Sequence, residues 1–160
     1  AATSSRQSIN KQLVAYAGRV FSSEVATGAE VNLLDLNDFE MPIYSSDREQ
    51  ESGIPQLAHD FAAHIADADV IFIAYAEHNG SYTAAFKNIM DWISRMEGST
   101  WEDKPMYLLA TSPGGRGAKT VLDIAVNRFG YTNKNTVVHF SLPLFNTNFS
   151  EEKGITDEKF

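Results

Sequence analysis

Residues 70–75 (Val-Ile-Phe-Ile-Ala-Tyr) and 106–111 (Met-Tyr-Leu-Leu-Ala-Thr) are almost wholly apolar runs of strand length, and each leads through a small-residue turn into sequence with helical periodicity. A half-buried strand alternates apolar with polar residues, whereas a continuous apolar run suits a strand covered on both faces, as in a parallel sheet. The helices are read in 81–96, with Phe86, Ile89, Met90 and Ile93 on one face, and in 117–129, with Val121, Leu122, Ala125 and Val126 inward. Strand and helix alternating at this spacing restrict the chain to right-handed βαβ units.

The flanking sequence extends the same pattern. Leu13, Val14, Ala17, Val20 and Phe21 recur at helical steps from residue 8 to about 24, with Ser8 placed as an N-cap. A short strand is read in 31–36, a polar, irregular stretch in 37–53, a helix from Pro55 to about residue 67, and a last strand within 136–142. Pro55 suits the first helical turn. The expectation is a three-layer α/β/α sandwich around a central parallel sheet, one domain over residues 1–160. In such sheets ligands bind beyond the carboxyl ends of the strands, where the winding reverses.

Composition narrows the chemistry. The chain has no cysteine, which excludes disulfides, thiolate catalysis and Cys-ligated metal centres, and fits a reducing cytoplasm. Redox chemistry would then need a borrowed cofactor. A formal net charge of −8 argues against a general nucleic-acid binder, which needs a basic surface. No apolar run approaches a membrane span and no signal segment is present, so a soluble cytoplasmic protein is expected. The sequence opens on Ala1-Ala2 and ends at Lys159-Phe160, where a helical stretch is expected to begin; the expected architecture therefore lacks its first strand and last helix within these residues.

Three loops stand at the carboxyl edge. Thr3-Ser4-Ser5-Arg6-Gln7-Ser8-Ile9-Asn10 sets hydroxyls, an amide and one Arg ahead of a helix. That is either an ordinary helix start or a seat for a phosphate monoester, made of backbone N–H groups, a positive dipole end and a countercharge. Glu77-His78-Asn79-Gly80-Ser81-Tyr82 follows the 70–75 strand, and Ser112-Pro113-Gly114-Gly115-Arg116-Gly117 follows 106–111. Both are small and amide-rich, so each reads as a tight turn or as a surface that a flat ring can approach closely.

Taken together these segments resemble the NAD(P)H-dependent FMN reductase family of the flavodoxin-like fold. Ser4, Arg6, Ser8 and Asn10 match, after a short gap adjustment, the family pattern G-S-x-R-x-x-S-x-N. Residues 76–92 align without gaps to P-E-Y-N-G-S-x-P-G-x-L-K-N-A-I-D-W: Glu77, Asn79, Gly80, Ser81, Lys87, Asn88, Asp91 and Trp92 agree, while Ala76, His78, Thr83, Ala84 and Phe86 depart. Ser112, Gly114 and Gly115 resemble the family's S-x-G-G-x-G turn, and Asp35-Leu36 with Met41-Pro42-Ile43-Tyr44 its D-L-x-x-x-x-L-P-x-Y segment.

The resemblance implies a five-stranded flavodoxin-like sheet and non-covalently held FMN. Ser4, Arg6, Ser8 and Asn10 would lie at the phosphate, Glu77, His78, Asn79, Gly80 and Ser81 along the ring and ribityl chain, and Ser112, Gly114 and Gly115 at the pyrimidine end. NAD(P)H would be the donor and a quinone, azo compound, metal oxyanion or free flavin the small-molecule acceptor, with a homodimer or homotetramer as the assembly. No side chain need be catalytic, since flavin carries the chemistry. Two other readings stand beside it: an electron-carrying flavodoxin that never meets a nicotinamide, and a flavin-free interaction domain.

The remaining candidates read as structural. With Pro and Gly replaced by Thr83 and Ala84, Ser81 is expected to cap the helix that follows, while Asp91 and Trp92 are expected to serve structure or subunit contact. His59, His64 and His139 lack a metal-binding arrangement, and Glu102-Asp103 reads as solvated carboxylates.

Overall fold

The computed structural model describes residues 1–98, 101 and 103–160. Three parallel strands form the sheet in the order β1 (Ile71–Tyr75), β2 (Met106–Thr111) and β3 (Val137–Leu142). Tyr75 lies opposite Ala110, and Thr111 opposite Leu142. On the free edge of β1, Ala2 makes a parallel bridge to Tyr75.

Strand alternation explains the layers. Ile73, Tyr75, Leu108 and Ala110 join one apolar cluster, while Ala74, Leu109 and Leu142 join another. The first is completed by Phe61 of α3 (Gln56–Asp67), by Phe86, Ile89, Trp92 and Ile93 of α4 (Ala84–Ile93), and by Val121, Leu122 and Phe129 of α5 (Lys119–Thr132). The second receives Leu13 and Val14 of α1 (Ile9–Val20). The chain thus leaves Ala2 into a helix on one face and leaves β1 into a helix on the other, and the crevice between them is where the winding reverses.

Several elements differ from the sequence reading. Residues 31–36 form no ladder. A strand exists only through its partner, and among the described residues Ala2 alone pairs with the outer edge of β1; Val31 and Leu33 stay half exposed, and the chain turns into a single 3₁₀ turn over Leu36–Phe39. The irregular stretch contains α2 (Ser46–Ser52), whose cap Ser45 accepts the Arg48 N–H at 3.3 Å. Helix α1 gives way at Phe21 to a π turn over Phe21–Val25. Pro55 occupies the N-cap position, one residue ahead of the first helical turn.

The expected terminal helix at 159–160 is a turn closed by Phe160 N–H on the Asp157 carbonyl. Between β3 and that turn lie α6 (Phe145–Asn148) and a two-stranded antiparallel hairpin of β4 (Phe149–Ser150) and β5 (Gly154–Ile155). Glu102 lies outside the described residues, whereas Asp103 accepts the Lys134 N–H at 3.0 Å.

Two polar features stand out, one near the surface and one in the core. Lys11 of α1 meets Asp35 at 2.5 Å, and this contact, helped by the Asn37 N–H, holds the Asp35 carboxyl down at about 2. Tyr75 and Tyr82, with ring centroids 5.6 Å apart, have buried hydroxyls without a hydrogen-bond partner among the described residues.

Candidate functional site

The three loops converge because the strands ahead of them are neighbours. The first loop follows Ala2, the second follows Tyr75 opposite it, and the third follows Thr111, one residue beyond the Ala110 partner of Tyr75. Polar contacts, two of them fully buried, then lock them in place.

In the first loop, Thr3 is buried and its Oγ1 accepts the Ser5 N–H at 3.1 Å. The backbone then runs exposed through Ser4, Ser5, Arg6 and Gln7 before Ser8 caps α1 by accepting the Asn10 N–H at 3.2 Å. Among the described residues, the backbone N–H groups of Ser4, Arg6, Gln7, Ser8 and Ile9 donate to no protein acceptor. Unpaired amides around the positive end of a helix favour an anion, and Arg6, exposed on the same loop, brings a full positive charge.

Asn10 is not part of that open surface. It is 2 % exposed, and its amide is spent on Thr111: Nδ2 donates to the carbonyl at 3.1 Å and Oδ1 accepts the N–H at 3.0 Å. The first loop is thereby fixed to the start of the third.

The second loop is a hairpin. His78 and Ser81 exchange both backbone bonds, at 3.0 and 3.1 Å, around Asn79 (φ 52°) and Gly80 (φ 72°). Positive φ at both central residues is what a type I′ turn demands and what Asn-Gly supplies most cheaply. A Cβ on Gly80 would stand 3.7 Å from Thr120 Cγ2, which places the hairpin tip beside the start of α5. Glu77 turns inward, and its Oε2 accepts the Val121 N–H of α5 at 2.9 Å. His78 and Asn79 are exposed.

Thr83, not Ser81, caps α4. Its buried Oγ1 accepts the Phe86 N–H at 3.3 Å and donates to the Ala2 carbonyl at 3.0 Å, joining the second loop to the first. The sequence signal was available as Thr three residues before an apolar helical position, but Ser81 carried the same signal two residues earlier.

The third loop is pinned from outside. The Ser112 and Gly114 carbonyls accept the Phe145 and Leu144 N–H groups, each at 3.1 Å. A side chain at Gly117 would be strained, since its φ is 57° and a Cβ there would collide with Ser141 Oγ. Among the described residues, the N–H groups of Gly114, Gly115 and Arg116 meet no protein acceptor. The Arg116 guanidinium leans back along α5 to Thr120 Oγ1.

Lys87, Asn88, Asp91 and Trp92 lie away from this edge. Lys87 pairs with Asp91 at 2.6 Å on the surface of α4. Asn88 Oδ1 accepts the Tyr44 N–H at 2.8 Å while Nδ2 donates to the Met41 and Pro42 carbonyls, and Trp92 Nε1 donates to Pro42 at 2.7 Å. These side chains staple residues 41–44 to α4.

Unpaired amides at the N-terminus of α1 and two further amide-bearing loops beside it, at the winding reversal of a parallel sheet, match the layout expected of a nucleotide site. The family model for NADPH-dependent FMN reductase matches residues 1–147. The chain belongs to the NADPH-dependent FMN reductase family.

Its relatives agree. It is 35% identical over 113 residues to a 2-hydroxy-1,4-benzoquinone reductase of Burkholderia sp, covering 70% of this chain and 57% of the relative. It is 30% identical over 99 residues to an NADPH:quinone oxidoreductase of Arabidopsis thaliana, covering 62% and 49%. The chain thus spans about half the length of these curated relatives. The flavoenzyme NAD(P)H:(acceptor) oxidoreductase FerB from Paracoccus denitrificans superposes with a TM-score of 0.70 at 26% identity, over 99% of this chain and 84% of FerB. The fold is flavodoxin-like, with three strands and the Ala2 bridge where a five-stranded sheet was expected.

Proposed function

We propose that this chain holds FMN at the three-loop edge and uses NAD(P)H to reduce a small-molecule acceptor. The observation that carries this reading is that the amides of Ser4, Arg6, Gln7, Ser8 and Ile9 meet no protein acceptor among the described residues, on the loop that carries the exposed Arg6. A phosphate monoester dianion fits that donor set, because it offers acceptors only and needs a countercharge. Bound FMN would supply two-electron chemistry, accepting a hydride from NAD(P)H and passing both electrons on.

The residues divide the work of binding. Ser4, Arg6 and Ser8 hold the phosphate; the hairpin of His78, Asn79, Gly80 and Ser81 lies along the ring and ribityl chain; Ser112, Gly114 and Gly115 face the pyrimidine end, where their amides stabilise negative charge on reduction. Asn10 and Glu77 serve by holding the loops rather than by touching the ligand. No side-chain acid or base is assigned.

The quinone reductases among the relatives make a quinone the first acceptor to test, ahead of azo compounds, metal oxyanions and free flavin. This reading includes a homodimer or homotetramer in a reducing cytoplasm. Ile43, three-quarters exposed on the stapled 41–44 loop, supports an apolar subunit contact. Among the described residues no helix is long and apolar enough to cross a membrane.

The test is titration of the purified protein with FMN, followed by anaerobic addition of NADH or NADPH. The flavin absorbance should bleach and return when a quinone is added. Binding without bleaching would favour an electron carrier, and absence of binding would overturn the assignment.

A further inference from the structure

Thr83 occupies the position at which the sequence departs from a proline-containing motif, and its backbone, φ −64° and ψ 149°, is one that proline adopts readily. Among the described residues its own N–H donates to no protein acceptor. Proline therefore satisfies the backbone at this place as well as Thr83 does. What Thr83 adds is a hydroxyl, 3 % exposed as a residue, whose proton goes to the Ala2 carbonyl while its oxygen takes the Phe86 N–H.

That bond joins the two halves of the site. The peptide after Ala2 leads directly into Thr3, whose Oγ1 fixes Ser5, and the open amides begin there. On the other side Thr83 stands two residues beyond Ser81, which closes the 78–81 hairpin. We propose that Thr83 is a positioning residue that sets the spacing between the anion seat and the ring-binding hairpin. This rests on the FMN reading above for its ligand, although the coupling itself is a property of the ligand-free protein.

The consequence is selective. A ligand that engages both halves depends on their spacing, whereas one that engages only the hairpin and the third loop does not. FMN and riboflavin differ by the phosphate alone, so their affinity ratio reads the coupling. Thr83→Val keeps the branched shape and removes the hydroxyl, and Thr83→Ser keeps the hydroxyl.

Dissociation constants for FMN and riboflavin should be measured by fluorescence on wild type and both variants. Thr83→Val is expected to weaken FMN about tenfold and riboflavin less than about twofold, and Thr83→Ser to restore the wild-type ratio. Equal weakening of both ligands, or failure of Thr83→Ser to restore the ratio, would overturn the proposal.

Amide hydrogen exchange without ligand gives an independent reading. The Ala2, Ser5 and Asn10 amides, bonded to Ala74 O, Thr3 Oγ1 and Ser8 Oγ, should lose protection in Thr83→Val but not in Thr83→Ser, with α5 unchanged. Unchanged protection of those amides would sink the coupling even if FMN binds, while wild type binding riboflavin as tightly as FMN would sink the phosphate seat and leave the exchange result to judge Thr83.

Discussion

Asn10 and Thr111, 101 residues apart in sequence, are joined by both polar atoms of one side chain, with Asn10 Oδ1 accepting the Thr111 N–H and Nδ2 donating to its carbonyl. The pair fastens the start of α1 to the end of β2, and so fixes the first loop against the third. Both residues are 2 % exposed, so no water replaces a lost bond without rearrangement. Asn10→Ala should destabilise the fold by about 2–4 kcal/mol, since it strands two buried backbone groups. Urea unfolding would check this, and a loss under about 1 kcal/mol would contradict the clamp.

Arg6 has the opposite character. It is exposed, and no hydrogen bond or ion pair ties it to the rest of the described protein. Arg6→Ala should leave the unfolding midpoint nearly unchanged and weaken FMN by about 1.5–3 kcal/mol, roughly tenfold or more. Fluorescence titration reads the effect, and unchanged affinity would remove Arg6 from the anion seat.

The Lys11–Asp35 pair predicts a pH dependence. Asp35 titrates at about 2 when folded, below its ordinary 3.8, so the unfolded state binds the proton more readily. The stabilisation is present above pH 4 and is lost as pH falls toward 2. With the Asp35 side chain 40% exposed, solvent screening reduces the contribution to about 0.5–1 kcal/mol. Asp35→Asn should therefore be less stable than wild type by that amount at pH 7, with the gap closing near pH 2; a gap that persists or grows in acid would refute it.

Tyr75 has a fully buried ring and a hydroxyl with no partner among the described residues, and burial pushes its ionisation well above the usual phenol range. Tyr75→Phe removes the unpaired group while keeping the packing against Tyr82 and Phe86. Stability should stay the same or rise by up to about 1 kcal/mol. A fall of more than about 1 kcal/mol in thermal or urea unfolding would show that the hydroxyl has a partner in solution.

Much of the architecture was legible because it depends on local periodicity. The two apolar runs became β1 and β2, Ser8 became the cap of α1, and Asn79-Gly80 became the tip of a turn. The 31–36 segment has the same local character but lacks a neighbour, and pairing is not written in the strand's own residues. Helix α2 has seven polar residues and no buried member, so no apolar stripe announced it. Within the site, residue type identified Asn10, Glu77 and Thr83 as polar groups near the edge, but not which way they face. An amide or carboxylate suits a ligand and a neighbouring loop equally well, and only the three-dimensional partners, Thr111, Val121 and Ala2, decide it.

Glu77 shows what that choice of partner does. Helices α1 and α5 both begin at this edge, each with a positive end, but the Glu77 carboxylate already lies on the Val121 N–H in the first turn of α5. The start of α5 is thus engaged by the protein's own carboxylate, while the amides ahead of α1 meet no protein acceptor among the described residues. On the FMN reading above, the charged end of the ligand is expected at α1 rather than at α5, so the direction in which it lies follows from where the Glu77 carboxylate points.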